Sequence, residues 1–160
     1  MIARPQQARD PMRWRMLAKA LLPQIYEQFD ADGIRDGDGL MQFLFVLLPA
    51  TRNAHRSGDE WVLFSAYAFA HWCMAQPEKE LWNAAGVAFF EHLFDDLAPE
   101  TVVPWIAPKA LSEIGPLVEF RLGVARMREI EKAYSKRHVC REHGYPGIIA
   151  RAERLMRQAS

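Results

Sequence analysis

Two apolar segments follow one another in the middle of the chain. The first, 61–74 (WVLFSAYAFAHWCM), is interrupted only by Ser65 and His71, and the second, 81–93, comes after the polar seam QPEK. A helix that is apolar on almost every side belongs inside a protein or a bilayer. Both runs are shorter than the roughly 18 to 20 residues that a membrane span needs. The pattern therefore predicts a buried helical hairpin over 59–97.

A second helical pattern precedes the hairpin. Asp10 and Pro11 form a typical helix start, an N-cap oxygen followed by proline at the first helical position. Pro23 lies inside the pattern and predicts either a kink or two short helices. The apolar residues recur at intervals of three and four, which draws one stripe along a helix ending near Phe29: Trp14, Leu17, Ala18, Leu21, Ile25 and Phe29.

The apolar run 40–48 (LMQFLFVLL) is too short for its periodicity to separate helix from strand. We predict a helix closed by Pro49, because no other segment resembles a strand and a lone strand would have no partner. A polar loop, TRNAHRSGDE, then leads to the hairpin, with Ser57 or Asp59 as candidate N-cap.

Beyond the hairpin, the repeated prolines of 99–116 predict only short helical turns that cover its apolar surface. Residues 117–143 form one amphipathic basic run, and 148–158 form a final helix. One side of the run carries a stripe of mainly apolar residues: Leu117, Phe120, Val124, Met127, Ile130, Glu131 and Tyr134. The sequence as a whole predicts an all-α fold: a compact single domain over 1–160, with six or seven helices around the buried hairpin. An acidic core region, 10–120, would carry basic C-terminal helices, 121–160, packed on it.

The formal net charge of zero conceals an asymmetry along the 160 residues. The net charge is +4 over 1–20, −10 over 21–120 and +6 over 121–160. The basic ends could pack on the acidic body, or the body could present its field to a partner. The N-terminus has no apolar h-region of a secretory signal, and two cysteines, Cys73 and Cys140, are too few for a disulfide scaffold. We therefore expect a cytoplasmic protein without a membrane span.

Four ionisable residues gather near the end of the second apolar segment: Glu91, His92, Asp95 and Asp96. Glu91 with Asp95, and His92 with Asp96, are four residues apart and share a helix face, which is the spacing of paired acid and base groups or of metal ligands. A metal-dependent enzyme with a site near Glu91 and His92 is thus one alternative. The motifs HExxH and paired ExxH are absent, so we favour a helix end that emerges into solvent.

A second possible ligand cluster is HVCREH, with His138, Cys140 and His143. A structural zinc site needs four ligands, and no partner segment with cysteine pairs supplies the fourth. His71, inside the apolar hairpin, is better explained as a hydrogen-bonded core histidine. We therefore expect no metal, no cofactor and no catalytic residue, and a protein that is not an enzyme.

The basic C-terminal segment raises a nucleic-acid alternative, because positive faces neutralise phosphates. No helix-turn-helix is recognisable, and glutamates are interspersed with the basic residues. The residues that would carry this function are Arg126, Arg128, Lys132, Lys136 and Arg137.

Four segments resemble a family of small bacterial helical domains of unknown function: LLPQIYEQFD (21–30), LFVLLP (44–49), LWNAAGVAFFEHLFD (81–95) and KALSEIGP (109–116). The shared marks are an early leucine-proline, a "GVxFxExL" helix and a closing "LGP", in which Ile114 replaces the leucine. The resemblance covers about 15–120. It implies a stand-alone binding protein, of a kind that includes immunity proteins encoded beside secreted toxins.

These observations favour a soluble bacterial protein-binding protein, most specifically an immunity protein that occludes the surface of a cognate toxin or other basic protein. The acidic excess of 21–120 would speed encounter with a basic partner such as a nuclease. Part of it lies in the loop DADGIRDGDG, which is no calcium loop, because ligand positions fall on Ile34 and Phe43. The expected partner-binding acids are Asp30, Asp32, Asp36, Asp38, Asp95 and Asp96.

Overall fold

The computed structural model describes residues 13–31 and 39–159, and every regular element within these ranges is helical. The all-α prediction is therefore confirmed. The helices, in chain order, are α1 Arg13–Leu21, α2 Pro23–Ala31, α3 Leu40–Ser57, α4 Glu60–Met74, α5 Lys79–Ala85, α6 Glu91–Leu93, α7 Pro99–Val102, α8 Pro108–Leu122, α9 Val124–Ser135 and α10 Tyr145–Gln158.

Three further segments complete these elements. The π-helical segment Gly86–Phe90 joins α5 to α6 without a break, and Val103–Trp105 and Arg141–Gly144 are short 3₁₀ helices. With α5 and α6 counted as one rod, the described part of the chain holds nine helices, more than the six or seven predicted. The helix start predicted at Asp10 and Pro11 lies outside the described residues.

The central hairpin is present as predicted. The Asp59 carboxylate caps α4 by accepting a hydrogen bond from the Val62 N–H at 3.3 Å, and the seam 75–78 leads directly into α5, which packs against α4. Tyr67 and Phe89 are fully buried where the two segments meet, with ring centroids 5.7 Å apart. The hairpin is therefore the centre of the core.

Proline has different effects at Pro23 and at Pro49. Pro23 opens α2 directly after α1, which confirms two short helices. Pro49, however, lies inside α3. Residues 51–57 of the predicted loop TRNAHRSGDE form the last turns of this helix, so the loop prediction is wrong for them. Pro49 and Phe45 are both exposed, and water can therefore satisfy the Phe45 carbonyl that loses its helical donor.

The region after the hairpin differs more from the prediction. Pro108 opens α8, which continues past the exposed Pro116 to Leu122, so the expectation of only short turns over 99–116 is wrong. Gly123, at φ +94°, then divides the predicted run 117–143. Ile130 is buried, as the apolar stripe expected along that run predicts, whereas Phe120 is 93% exposed.

The C-terminal helices pack on the hairpin and on the segment that follows it. Helix α10 lies against α4 and α1, and α9 lies against α7. The Tyr145 hydroxyl donates to the Trp105 carbonyl at 2.6 Å. The net-positive end of the chain therefore contacts the region that carries the acidic excess.

Two histidines in the interior are held neutral. The His71 ring bonds the Tyr67 carbonyl through Nδ1 at 2.7 Å and accepts from the Ala107 N–H through Nε2 at 3.0 Å, which confirms a hydrogen-bonded core histidine. His55 Nε2 lies 2.7 Å from the Tyr67 hydroxyl. Burial lowers the pKa of both rings from 6.5 to about 4.

Replacing Phe89 by alanine should lower the free energy of unfolding by about 3 to 5 kcal/mol, because the ring is fully buried and would leave a cavity. The matched control is Phe120→Ala, which removes an almost fully exposed ring and should change stability by less than about 0.5 kcal/mol. Urea denaturation measures both. Similar losses for the two variants would place the core elsewhere.

Stability should fall as pH decreases from 6.5 towards 4, because the unfolded chain protonates His71 while the folded chain excludes the proton. The expected slope for one such histidine is about 1.4 kcal/mol per pH unit. His71→Gln removes one such linkage and should reduce the pH dependence of the urea midpoint by about half, because burial also lowers the pKa of His55 to about 4 and that linkage remains. His138→Gln, at an exposed position, should leave the pH dependence unchanged. Parallel pH profiles for wild type and His71→Gln would contradict the assignment.

Candidate functional site

An open cleft of about 460 Å³ lies where the end of α4, the start of α5 and the middle of α8 meet. Its floor is mainly apolar, and its rim carries amide and charged groups. The residues that line it are Met74, Ala75, Gln76, Trp82, Asn83, Gly86, Lys109, Glu113, Ile114 and Leu117.

Gly86 lines the cleft opposite Leu117 of α8 and Met74 of α4. A Cβ atom at this position would lie 3.5 Å from Leu117 Cδ1 and 3.7 Å from Met74 Cε, which is ordinary van der Waals contact. The π-helical segment begins at the same residue, and such segments often occur at functional sites. The missing side chain therefore contributes to the depth of the cleft.

Large apolar side chains remain in solvent at this site. Trp82 is 41% exposed and Leu117 is 37% exposed, and both line the cleft. Phe120, 93% exposed, follows Leu117 by three residues on α8 and so extends the apolar surface along the same helix. We call Trp82, Leu117 and Phe120 the apolar rim. Side chains of this size and exposure are typical of contact surfaces.

The polar groups of the cleft include an ion pair and a side-chain amide. Lys109 Nζ lies 4.0 Å from Glu113 Oε1, one turn apart on α8, and both side chains are largely exposed. Gln76 Nε2 donates to the Trp72 carbonyl at 2.9 Å. Among the described residues, the groups with a clearly displaced pKa, such as His55 and His71, lie outside the cleft lining.

The acidic cluster after α6 is neutralised by arginines from two other helices. Asp95 Oδ2 accepts from Arg121 Nη2 at 2.6 Å and lies 3.2 Å from His92 Nδ1, and the Arg121 guanidinium also contacts the His92 ring. Arg52 lies 3.9 Å from Asp95 and 3.6 Å from Asp96. Two guanidinium groups therefore converge on the Asp95 carboxylate, and their positive charges oppose the binding of a metal cation at this position.

Of the six predicted partner-binding acids, the structure describes Asp30, Asp95 and Asp96. Asp30 is exposed near the end of α2, while Asp95 and Asp96 have the arginine partners just described. Asp32, Asp36 and Asp38 lie outside the described residues.

The five basic residues of the nucleic-acid alternative divide into two groups. Arg126 donates to the carbonyls of Phe94 and Leu97 at 2.9 and 3.2 Å, and Arg137 is held by a carboxylate and two carbonyls, so these two are structural. The other three are exposed and lie four residues apart on one face of α9: Arg128, Lys132 and Lys136.

In the HVCREH segment, the structure brings together a different set of possible ligands from the set that the sequence suggested. His138 is exposed, whereas Glu142, which the sequence had not suggested as a ligand, joins Cys140 and His143 in one cluster.

Sequence reasoning missed the apolar rim. It placed Trp82 in a buried hairpin and Phe120 on a packing stripe. The sequence did contain signs that these two side chains are exposed. Phe120 stands between Glu119 and Arg121, and Trp82 is followed by Asn83. Exposure is nevertheless set by where α8 crosses α5, and local sequence does not specify that crossing.

None of the helices in 13–31 and 39–159 is both long and apolar enough to cross a bilayer. Comparison with curated proteins and with solved structures found no similar chain. A family described as a domain of unknown function, DUF7674, matches residues 15–116, close to the range over which the sequence motifs indicated such a family. The chain therefore belongs to the DUF7674 family, a domain of unknown function.

Proposed function

We propose that this protein is a protein-binding protein whose contact surface is the cleft between α4, α5 and α8 together with its apolar rim. The observation that carries the proposal is the exposure of Trp82 and Leu117 in the lining of one cleft, with Phe120 exposed one turn further along α8. Interfaces have apolar centres with polar rims, and tryptophan is enriched among the residues that dominate binding energy.

A small molecule is the main alternative occupant, since the cleft volume falls within the usual range for ligand pockets. Phe120 argues against it. This ring is almost fully exposed and does not line the cleft, so a ligand confined to the cleft would leave it in water. A protein partner that fills the cleft and extends along α8 would cover both.

We further propose that the partner is a basic protein, and specifically a toxin that this chain neutralises as an immunity protein. The support is the resemblance of the GVxFxExL helix and its companion motifs to such proteins, and the net charge of −10 over 21–120. The acids nearest the apolar rim are Glu113, which lines the cleft, and the exposed Glu119 beside Phe120. Charges at a rim mainly steer encounter and select the partner.

The nucleic-acid alternative has less support. Arg128, Lys132 and Lys136 leave one short basic stripe, and the exposed Glu129 and Glu131 lie beside it on α9. Few phosphate contacts give weak binding with a shallow dependence on salt. The metal-dependent enzyme near Glu91 and His92 has less support still, because two arginines surround Asp95.

Trp82→Ala should abolish partner capture and protection, because a central aromatic anchor contributes at least about 2 kcal/mol, or roughly thirty-fold in affinity. The matched control is Trp61→Ala, which removes another exposed tryptophan, 63% exposed, that does not line the cleft. The measurement has two parts: recovery of a basic protein on the immobilised chain, and survival of gene-deleted cells, complemented with each variant, beside their parent strain.

Gly86→Ala gives an independent check, since the added methyl group meets only ordinary contacts and should narrow the cleft without unfolding α5. It too should weaken capture. Equal capture by wild type, Trp82→Ala and Gly86→Ala would reject the cleft as the binding surface. If deletion leaves the cells no more sensitive to their neighbours, the immunity function is wrong even if a partner binds.

A further inference from the structure

Three different metal-ligating groups converge at the turn before α10. Each of these residues, Cys140, Glu142 and His143, offers one ligand atom, and the three atoms lie within 4.8 Å of one another. The cause is local: Cys140 caps the 3₁₀ helix Arg141–Gly144, and residues three apart in such a helix lie one above the other. Cys140 and His143 are therefore on one side of the turn.

An ion pair and backbone hydrogen bonds hold the turn in place. The Glu142 carboxylate pairs with Arg137 at 2.7 and 3.1 Å, and both side chains are about 10% exposed. Arg137 in turn donates to the carbonyls of Val103 and Ile106 at 3.2 and 2.9 Å. Each carboxylate oxygen keeps a second lone pair, so the arginine can orient Glu142 as an outer-shell partner while an oxygen still binds a cation.

We propose that Cys140, Glu142 and His143 form a binding site for a divalent cation of the zinc class. Thiolate, imidazole and carboxylate are the three ligand types that zinc accepts, and a mixed set with sulfur selects it over magnesium or calcium. The Cys140 thiol releases its proton to solvent as the metal binds. Three protein ligands leave a fourth position open to water.

The geometry requires only a small adjustment. Ligand atoms around tetrahedral zinc are roughly 3.5 Å apart, given bond lengths of about 2.0 to 2.3 Å. The exposed His143 ring can supply most of this closure by rotation. Of the nearby positive charges, Arg141 is paired with Glu60 at 3.1 Å, whereas Arg137 and a bound cation would share the carboxylate of Glu142.

The ligand set explains why the sequence alone gave no site. His138 is the obvious third ligand in HVCREH, yet the cluster uses Glu142, whose position depends on Arg137 and on the distant carbonyls of Val103 and Ile106. None of the three ligands lines the cleft between α4, α5 and α8, so the metal site stands independently of the proposed protein-binding function. A bound cation would fix the turn that seats α10 on α4.

Titration of the reduced, metal-free full-length chain with Co²⁺ tests the site. Cobalt occupies zinc sites, and a thiolate ligand produces an intense sulfur-to-cobalt charge-transfer band in the near ultraviolet. We expect this band to saturate at one equivalent and to disappear on addition of Zn²⁺. Cys140→Ser and His143→Ala should each abolish it.

Two matched controls complete the design. Cys73→Ser replaces the other, buried cysteine, and His138→Ala replaces the exposed histidine nearby; both should retain the band. The variants that carry the test, Cys140→Ser and His143→Ala, alter side chains outside the hydrophobic core, and far-ultraviolet circular dichroism verifies that they are folded. A wild-type chain without the band, a band that survives Cys140→Ser, or a band lost in His138→Ala would overturn the proposed ligand set.

Discussion

The fold depends on the burial of α4, a helix whose residues from Leu63 to Cys73 are buried or partly buried, while Trp61 in its first turn stays exposed. Such a helix is stable in water only if other elements cover it all round. The hairpin partner α5 covers one side, and α1, α3 and α10 pack against others. The polar groups that enter this core have partners: His71 bonds the backbone of Tyr67 and Ala107, and the Tyr67 hydroxyl meets His55. These bonds also fix the chain around Ala107, from which α8 starts.

The cleft forms where the helices that pack around α4 no longer cover it. Helix α4 stops at Met74, while α5 and α8 meet across Gly86 and Leu117, so the end of α4 leaves a concavity between them. Core packing accounts for the hydrophobic residues that face inward, but Trp82 and Phe120 have no such explanation within the described residues. Large exposed rings beside a concave apolar surface are costly for solubility and therefore indicate a contact function.

The sequence predicted what depends on local patterning. The hairpin, the division at Pro23 and the Asp59 cap all follow from periodicity and from the chemistry of a helix terminus. The effects of Pro49 and Pro116 could not be predicted in this way, because a proline is tolerated in a helix when the carbonyl it deprives faces water, and exposure is a tertiary property. For the same reason the candidate sites were only partly predicted: Arg52 is about forty residues from the acids it neutralises, and Glu142 is placed by Arg137.

Part of the charge asymmetry of the chain is balanced within the molecule. Arginines of the basic C-terminal region contact the acidic body: Arg121 pairs with Asp95, Arg126 donates to two carbonyls after α6, and Arg141 pairs with Glu60. The family match ends at residue 116, before all three of these arginines. In this chain the segment beyond the family domain therefore supplies counter-charges and hydrogen-bond donors to it. These three arginines are therefore less available to a phosphate backbone. Trp82, Leu117 and Phe120 leave apolar surface exposed in and beside the cleft, so a protein partner is the better-supported proposal.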